Sequence, residues 1–182
     1  MSRQYFQDAP YADPSLANQT AIVATTETAL FASAVFAPIP ANDARMGKVY
    51  KLTAGGIVTT SASASTLTLT PRWGTTTSGT SLGASSAQTV PVSLTNAPWR
   101  LEAEIYIRGP IGASGANTPA VVHGMFTCQG TAATAGSAFV LTFGSTASVS
   151  VDATIASGFF IGWTLSVAGS CTPMSCLLQS LN

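Results

Sequence analysis

Residues 97–107 alternate strictly between apolar and polar side chains. The apolar positions are Leu101, Ala103, Ile105 and Ile107, and the polar positions are Arg100, Glu102, Glu104 and Tyr106. A period of two is typical of a β-strand with one buried face and one face in water. This stretch therefore predicts one strand of a sheet that covers a core.

Further strand signals follow one another along the chain, separated by clusters of glycine, proline, asparagine and serine. The predicted strands are residues 21–25, 29–36, 48–60, 65–73, 88–94, 99–108, 120–129, 137–143, 147–153, 158–168 and 174–181. Pro71 cannot donate a ladder hydrogen bond, which predicts an edge strand or a strand end there. No apolar stripe of helical period persists over three turns. About ten short strands with polar turns predict an all-β chain, an antiparallel sandwich or barrel. The stretch 74–86 is of low complexity and is predicted to be an exposed loop.

Residues 1–19 differ from the rest of the chain. They are polar, contain two prolines and match neither a strand nor a helix. Three aromatic residues and one arginine stand out among the small side chains: Arg3, Tyr5, Phe6 and Tyr11. Because an aromatic side chain can bury roughly 150 Å² or more, we expect an extended arm that docks on a neighbouring subunit. The alternative is a disordered tail. The chain thus divides into an N-terminal arm, 1–19, and a β-sandwich domain, 20–182.

Charge is scarce in this chain. Only 8% of its 182 residues are Asp, Glu, Lys or Arg, against roughly 25% in an average soluble domain. No basic cluster exists, so nucleic acid is not expected as a partner. No apolar run is long enough to span a membrane, and the first residues lack a signal peptide, which predicts a protein made in a cytoplasm. So few charges favour a subunit packed in an assembly over a secreted monomer.

Candidate catalytic residues are few. His123 is the only histidine and lies in a predicted strand with apolar neighbours. Glu102 and Glu104 face the same side of one strand, about 7 Å apart, as a glycosidase pair could. A solvated face with cross-strand ion pairs is the favoured interpretation. No nucleophile elbow, phosphate-binding loop or calcium loop is present, so we expect no active site, no cofactor and no metal.

The cysteines and tryptophans each leave an alternative open. Cys128, Cys171 and Cys176 are expected to be reduced and semi-buried, although a Cys171–Cys176 bridge could close a terminal turn. Trp163 is predicted to lie in the core. Trp73 and Trp99 stand at strand ends, where they either cap the barrel or face a ligand such as a sugar.

Three segments together resemble small jelly-roll structural proteins of tailed bacteriophages: residues 48–60, 65–74 and 97–108. The resemblance continues through an apolar strand with the sequence His-Gly-Met-Phe at 123–126 and a final strand that contains Trp163. It covers roughly residues 20–182. It implies a sandwich of the jelly-roll type and a place in a virion.

Within that group the resemblance implies a capsid decoration (cement) protein. Such a protein would form a homotrimer, dock on the major capsid protein of the same virion through its arm, and be assembled in the host cytoplasm. A tail or tail-fibre component with a receptor- or carbohydrate-binding role is the alternative. A hydrolase that depends on Glu102, Glu104 or His123 is the weakest of the three hypotheses.

Overall fold

Twelve β-strands make up the architecture of the described part of the chain. A computed structural model describes residues 20–31, 39–74, 76–112, 117–130, 138–167 and 169–181, together with the backbone of 8–12. In chain order the strands are β1 (Asp8–Ala12), β2 (Thr28–Ala29), β3 (Val49–Thr59), β4 (Ser65–Trp73), β5 (Thr80–Ser81), β6 (Gln88–Val90), β7 (Ala97–Ile107), β8 (Thr118–Gln129), β9 (Ala138–Gly144), β10 (Val149–Val151), β11 (Phe159–Leu165) and β12 (Ser170–Ser180).

The strands form two antiparallel sheets. The larger sheet has the order β1-β12-β3-β7-β8, and both β9 and β10 pair with the far edge of β8. The smaller sheet has the order β2-β11-β4, and both β5 and β6 pair with the far edge of β4. The two sheets pack against each other as a β-sandwich, which confirms the predicted fold class.

The pairing of the strands is nested from the chain ends inward. β1 pairs with β12 in the larger sheet, β2 with β11 in the smaller, β3 with β7 in the larger and β4 with β5 in the smaller. Successive pairs therefore alternate between the sheets, which is the winding of a jelly roll. Strands β8 to β10 extend the larger sheet beyond this framework.

The core lies between the two sheets. On β7 every second residue is buried, as the alternation in the sequence predicts. The ring of Phe126 on β8 stands edge-on to Trp163 on β11, with 5.6 Å between ring centroids, and so joins one sheet to the other. Tyr50 on β3 also contacts the other sheet, because its ring packs at a tilt against that of Trp73 on β4, with 6.5 Å between ring centroids. Aromatic pairs at these separations add to the stabilisation from burial alone.

A close approach of two backbones explains one glycine. Gly56 on β3 lies opposite Pro173 on β12, where the register between the strands shifts by one residue. A Cβ atom at Gly56 would lie 2.2 Å from the carbonyl oxygen of Thr172. The register shift opposite Gly55 and Gly56 is a bulge, and the extra residue belongs to the partner strand β12.

Some predicted elements need correction in the N-terminal third of the chain. Residues 8–12 form strand β1, although the sequence predicts no strand within 1–19. Of the predicted strand 21–25, only Ile22 makes a β-bridge, to Cys171. Strand β2 contains only Thr28 and Ala29, and residues 32–36 of the predicted strand 29–36 lie outside the described residues. The bounds of β1 and β2 are set by their pairing with β12 and β11, which are distant in sequence, and not by the local pattern of apolar residues.

Two further corrections concern β4 and the loop after it. The predicted loop 74–86 contains the short strand β5, which pairs with the end of β4. β4 lies inside its sheet and is not an edge strand. Pro71 is tolerated because it faces the gap between β5 and β6, where its carbonyl accepts a hydrogen bond from the backbone of Leu82.

Candidate binding surface on the larger sheet

A group of charged and polar side chains lies on the outer face, which we define as the face of the larger sheet turned away from the smaller one. They come from the positions of β3, β7, β8 and β9 that alternate with buried core residues, and from Arg108 directly after β7. They include Lys51, Arg100, Glu102, Glu104, Tyr106, Arg108, His123, Met125 and Val140. The strict alternation on β7 is what brings its polar residues to this one face.

Ion pairs cross the strands at the centre of the outer face. The ammonium of Lys51 lies 3.2 Å from a carboxylate oxygen of Glu102 and 3.7 Å from one of Glu104. Arg100 pairs with Glu102 at 2.5 Å. The hydrogen bond from Lys51 lowers the pKa of Glu102 below its usual range. Both carboxylates therefore have cationic partners, as the favoured interpretation of the sequence predicts.

Tyr106 and His123 extend this surface towards one end of the sandwich. The Tyr106 hydroxyl donates a hydrogen bond to Glu104, and this bond raises the pKa of the phenol. His123 is exposed, lies opposite Glu104 in the register of β7 and β8, and has its ring 6.2 Å from that of Tyr106. The single histidine is thus a surface residue at the boundary between the ion pairs and an aromatic ring.

A groove of about 340 Å³ opens beside Tyr106. Val49 and Val121 flank Tyr106 on the neighbouring strands, and Arg108 follows at the next outward position. Gly47 has no side chain and a φ of +85°, and the space where its Cβ would lie is empty to 4 Å. The missing side chain at Gly47 leaves the groove open next to Arg108.

A second polar cluster lies under the same end of the sandwich. Asp43 accepts hydrogen bonds from the Lys48 ammonium at 2.6 and 2.7 Å and from the Tyr50 hydroxyl at 2.7 Å. Burial opposes ionisation of Asp43, but these hydrogen bonds outweigh it and lower its pKa. Burial raises the pKa of Tyr50, and the hydrogen bond to Asp43 adds to the effect. The cluster ties the turn before β3 to the core.

Trp73 and Trp99 do not lie on any surface in this structure. Each side chain is 4% exposed. Trp73 Nε1 donates a hydrogen bond to the carbonyl of Asp152, and Trp99 packs against Phe126 with 5.7 Å between ring centroids. A sugar stacks only on an exposed ring face, so the suggestion that these two aromatics face a ligand has to be corrected.

The proposed docking residues of the arm are described only in part. Arg3, Tyr5 and Phe6 lie outside the described residues. Tyr11 belongs to β1, where its backbone pairs with Leu178 on β12. A domain boundary after residue 19 would therefore separate β1 from the larger sheet, to which this strand belongs.

The cysteines are buried thiols. Burial raises the pKa of Cys128 to about 11 and that of Cys171 well above its usual range. Thiols of this kind are poor nucleophiles at neutral pH because only the thiolate reacts readily.

Metal and membrane motifs are absent from the described residues. No three His, Cys, Asp or Glu side chains in that part of the chain cluster as a metal site requires. The described residues also include no helix long and apolar enough to cross a membrane.

Comparison with protein-family models, with curated proteins and with solved structures finds no match to this chain.

Proposed function

We propose that this chain is a non-enzymatic structural subunit of a bacteriophage virion. Its most specific form is a capsid decoration protein that trimerises and docks on the major capsid protein through residues at its N-terminus. The observation that supports this proposal best is the jelly-roll winding with β1 as the outermost strand of the larger sheet. That winding is what the resemblance to virion proteins implies.

The position of β1 also indicates where a docking segment would leave the sandwich. Asp8, the first residue of β1, lies opposite Ser180 at the outer edge of the larger sheet. Residues 1–7, with Arg3, Tyr5 and Phe6, are joined to the domain at this edge. We therefore assign the docking role to residues 1–7, and β1 serves as their anchor.

The outer face adds a second argument for assembly. Its charges are largely paired with one another, and Tyr106, Met125 and Val140 are exposed on it. Away from the groove beside Tyr106, the exposed apolar residues Met125 and Val140 among these neutralised charges favour packing against other subunits, because little desolvation of unpaired charge opposes it.

The energy of docking would come from burial of aromatic side chains. Tyr5 and Phe6 could each remove roughly 150–250 Å² from water, or about 4–6 kcal/mol gross at ~25 cal/mol/Å². Ordering of the segment offsets most of this gain. Repetition over the symmetric copies of a shell then multiplies a modest contact.

The test compares two deletions in the purified chain. A variant lacking residues 2–7 should remain a folded trimer by light scattering and should lose binding to capsids that carry no copy of this protein. A variant lacking residues 2–12 should in addition melt at a lower temperature, because Leu177, Leu178 and Ser180 on β12 lose their strand partner. Capsid binding by the first variant equal to that of the full chain would contradict the docking role.

A tail or tail-fibre component with a carbohydrate-binding role is a second candidate. The groove beside Tyr106 favours it, because an exposed aromatic ring next to polar side chains is a common element of sugar sites. The position of the protein in the virion separates the two candidates.

A further inference from the structure

We propose that the groove beside Tyr106 binds a sugar residue that carries a carboxylate, such as a uronic acid unit of an acidic polysaccharide. This inference does not rest on the capsid role, since the groove lies on β3, β7 and β8 and involves no residue of the N-terminal segment. It assigns a ligand to a place where the sequence predicts only a solvated strand face.

Charge selects an anionic ligand for this groove. Asp43 is neutralised by Lys48, and Glu102 and Glu104 by Lys51 and Arg100. Arg108 lines the groove, is exposed, and has no carboxylate within ion-pair distance among the described residues. Within the groove, the guanidinium of Arg108 therefore remains available to an anion, and its planar fork matches a carboxylate in two parallel hydrogen bonds.

The rest of the groove selects a sugar rather than a simple anion. The Tyr106 ring is held by its hydrogen bond to Glu104 and flanked by Val49 and Val121, so it offers a fixed apolar face for the C–H side of a pyranose. The His123 imidazole, opposite Glu104, offers hydrogen bonds to hydroxyl groups. A volume of about 340 Å³ is at the lower end of the range for small-ligand sites.

The spacing of the two main contacts fits one sugar unit. Tyr106 lies on β7, and Arg108 follows the last residue of β7 at the next outward position, where its backbone N–H still donates to the carbonyl of Pro119 on β8. Their Cα atoms are therefore about 7 Å apart. A pyranose stacked on the tyrosine can direct a carboxylate substituent to the guanidinium across this distance. Gly47 also lines the groove and has no side chain that could narrow it.

The experiment is an NMR titration of the full chain with D-glucuronate, and with D-glucose, acetate and inorganic phosphate as comparison ligands. Glucuronate should shift the amide signals of Gly47, Tyr106, Arg108 and His123 saturably, and each comparison ligand should bind at least tenfold more weakly. Acetate or phosphate binding as tightly as glucuronate would reduce the groove to an anion site and overturn the proposal. Glucose binding as tightly, or no saturable shift with any ligand, would overturn it as well.

Three variants assign the contacts. Arg108→Gln and Tyr106→Ser should each weaken glucuronate binding at least tenfold. Arg100→Gln is the matched control, because Arg100 is an exposed arginine on the outer face of β7, eight residues before Arg108 and outside the groove, and should leave binding within twofold. Capsid binding should be unchanged in Arg108→Gln, which keeps this test independent of the docking proposal. Equal effects of Arg108→Gln and Arg100→Gln would contradict the assigned role of Arg108.

Discussion

The ion pair between Arg72 and Glu27 allows a sharp prediction about stability. Arg72 on β4 bonds to Glu27 through two parallel contacts, Nε to Oε1 at 2.5 Å and Nη2 to Oε2 at 2.7 Å. Its third nitrogen, Nη1, donates to the carbonyl of Gly79 at 2.7 Å. The guanidinium therefore joins β4 to Glu27, 45 residues earlier in the chain, and to the loop that follows β4. The hydrogen bond to Glu27 raises the pKa of Arg72.

The structure sets the size of the effect. The side chains of Arg72 and Glu27 are only 17% and 25% exposed, so water compensates little when the pair is broken. Hydrogen bonds to charged groups contribute roughly 1.5–3 kcal/mol. Glu27→Gln can keep one of the two bonds, and we expect a loss of about 2 kcal/mol. In a chain of this length that corresponds to about 4–8 °C in melting temperature.

Thermal and urea unfolding of Glu27→Gln measure this loss, and Glu102→Gln is the control. Glu102 also has cationic partners, but its side chain is 36% exposed on the outer face, and exposed pairs contribute less than about 1 kcal/mol. If Glu27→Gln cost no more than Glu102→Gln, the argument from burial would be refuted.

A double-mutant cycle tests the same geometry from the other side. A Cβ atom at Gly162 would lie 2.0 Å from Oε1 of Glu27, so Gly162→Ala must displace the carboxylate from Arg72. In a Glu27→Ala background nothing remains to be displaced, and the cost of Gly162→Ala should fall by about 1–2 kcal/mol. If Gly162→Ala lowered the free energy of unfolding equally in both backgrounds, the side chain of Glu27 would not lie against Gly162.

Three further predictions follow from the core and its titratable groups. Gly124→Ala places a methyl group 2.2 Å from Cζ of Phe143 and should lower the free energy of unfolding in urea by about 1–3 kcal/mol. The loss should be smaller when Phe143→Leu is also present, and equal losses with and without Phe143→Leu would contradict the clash. Because Asp43 has a lowered pKa in the fold, its ionised form stabilises the fold above about pH 4, and this contribution is lost as the pH falls further. The stability gap between wild type and Asp43→Asn should therefore narrow in thermal melts below that pH, and a constant gap would argue against the lowered pKa. Cys128 and Cys171 should resist iodoacetamide at pH 8 until urea unfolds the chain, and rapid labelling of the folded protein would contradict their burial.

The sequence predicts the faces of β7 because a period of two needs no tertiary information. The same holds for Trp163, which is buried as expected in β11. The partners of a strand are another matter. β3 pairs with β7 and β12, and β7 begins about forty residues after β3 ends. The local pattern of apolar and polar residues does not indicate which strands pair. The periodicity therefore does not predict the nested strand order, which only the resemblance implies.

The two alternatives that the sequence leaves open for Trp73 and Trp99 have one physical cause. Both residues stand near strand ends, where the local pattern does not reveal what covers them. Trp73 is buried by Tyr50 and bonded to Asp152, 79 residues further along the chain. Trp99 is buried against Phe126 from the neighbouring strand. Burial of a bulky ring at a strand end depends on the second sheet, which alternation along one strand does not describe.

The sequence predicts part of the candidate groove. Tyr106 is an outward residue of the alternating strand, and the same alternation, continued one step, turns Arg108 outward. The opening at Gly47 and the flanking positions of Val49 and Val121 need the register of three strands. Strand β1 also needs tertiary information. Its residues include types that disfavour strands, and it is a strand because it pairs with β12.

The proposed decoration role is tested most directly by cryo-electron microscopy of intact virions, searched for density of this sandwich. The decoration role requires sandwich density as trimers on the outer shell, with residues 1–7 running from the edge at β1 over the major capsid protein. Density only at the tail or its fibres would contradict the decoration role. Absence of the sandwich from the particle would contradict a virion role altogether.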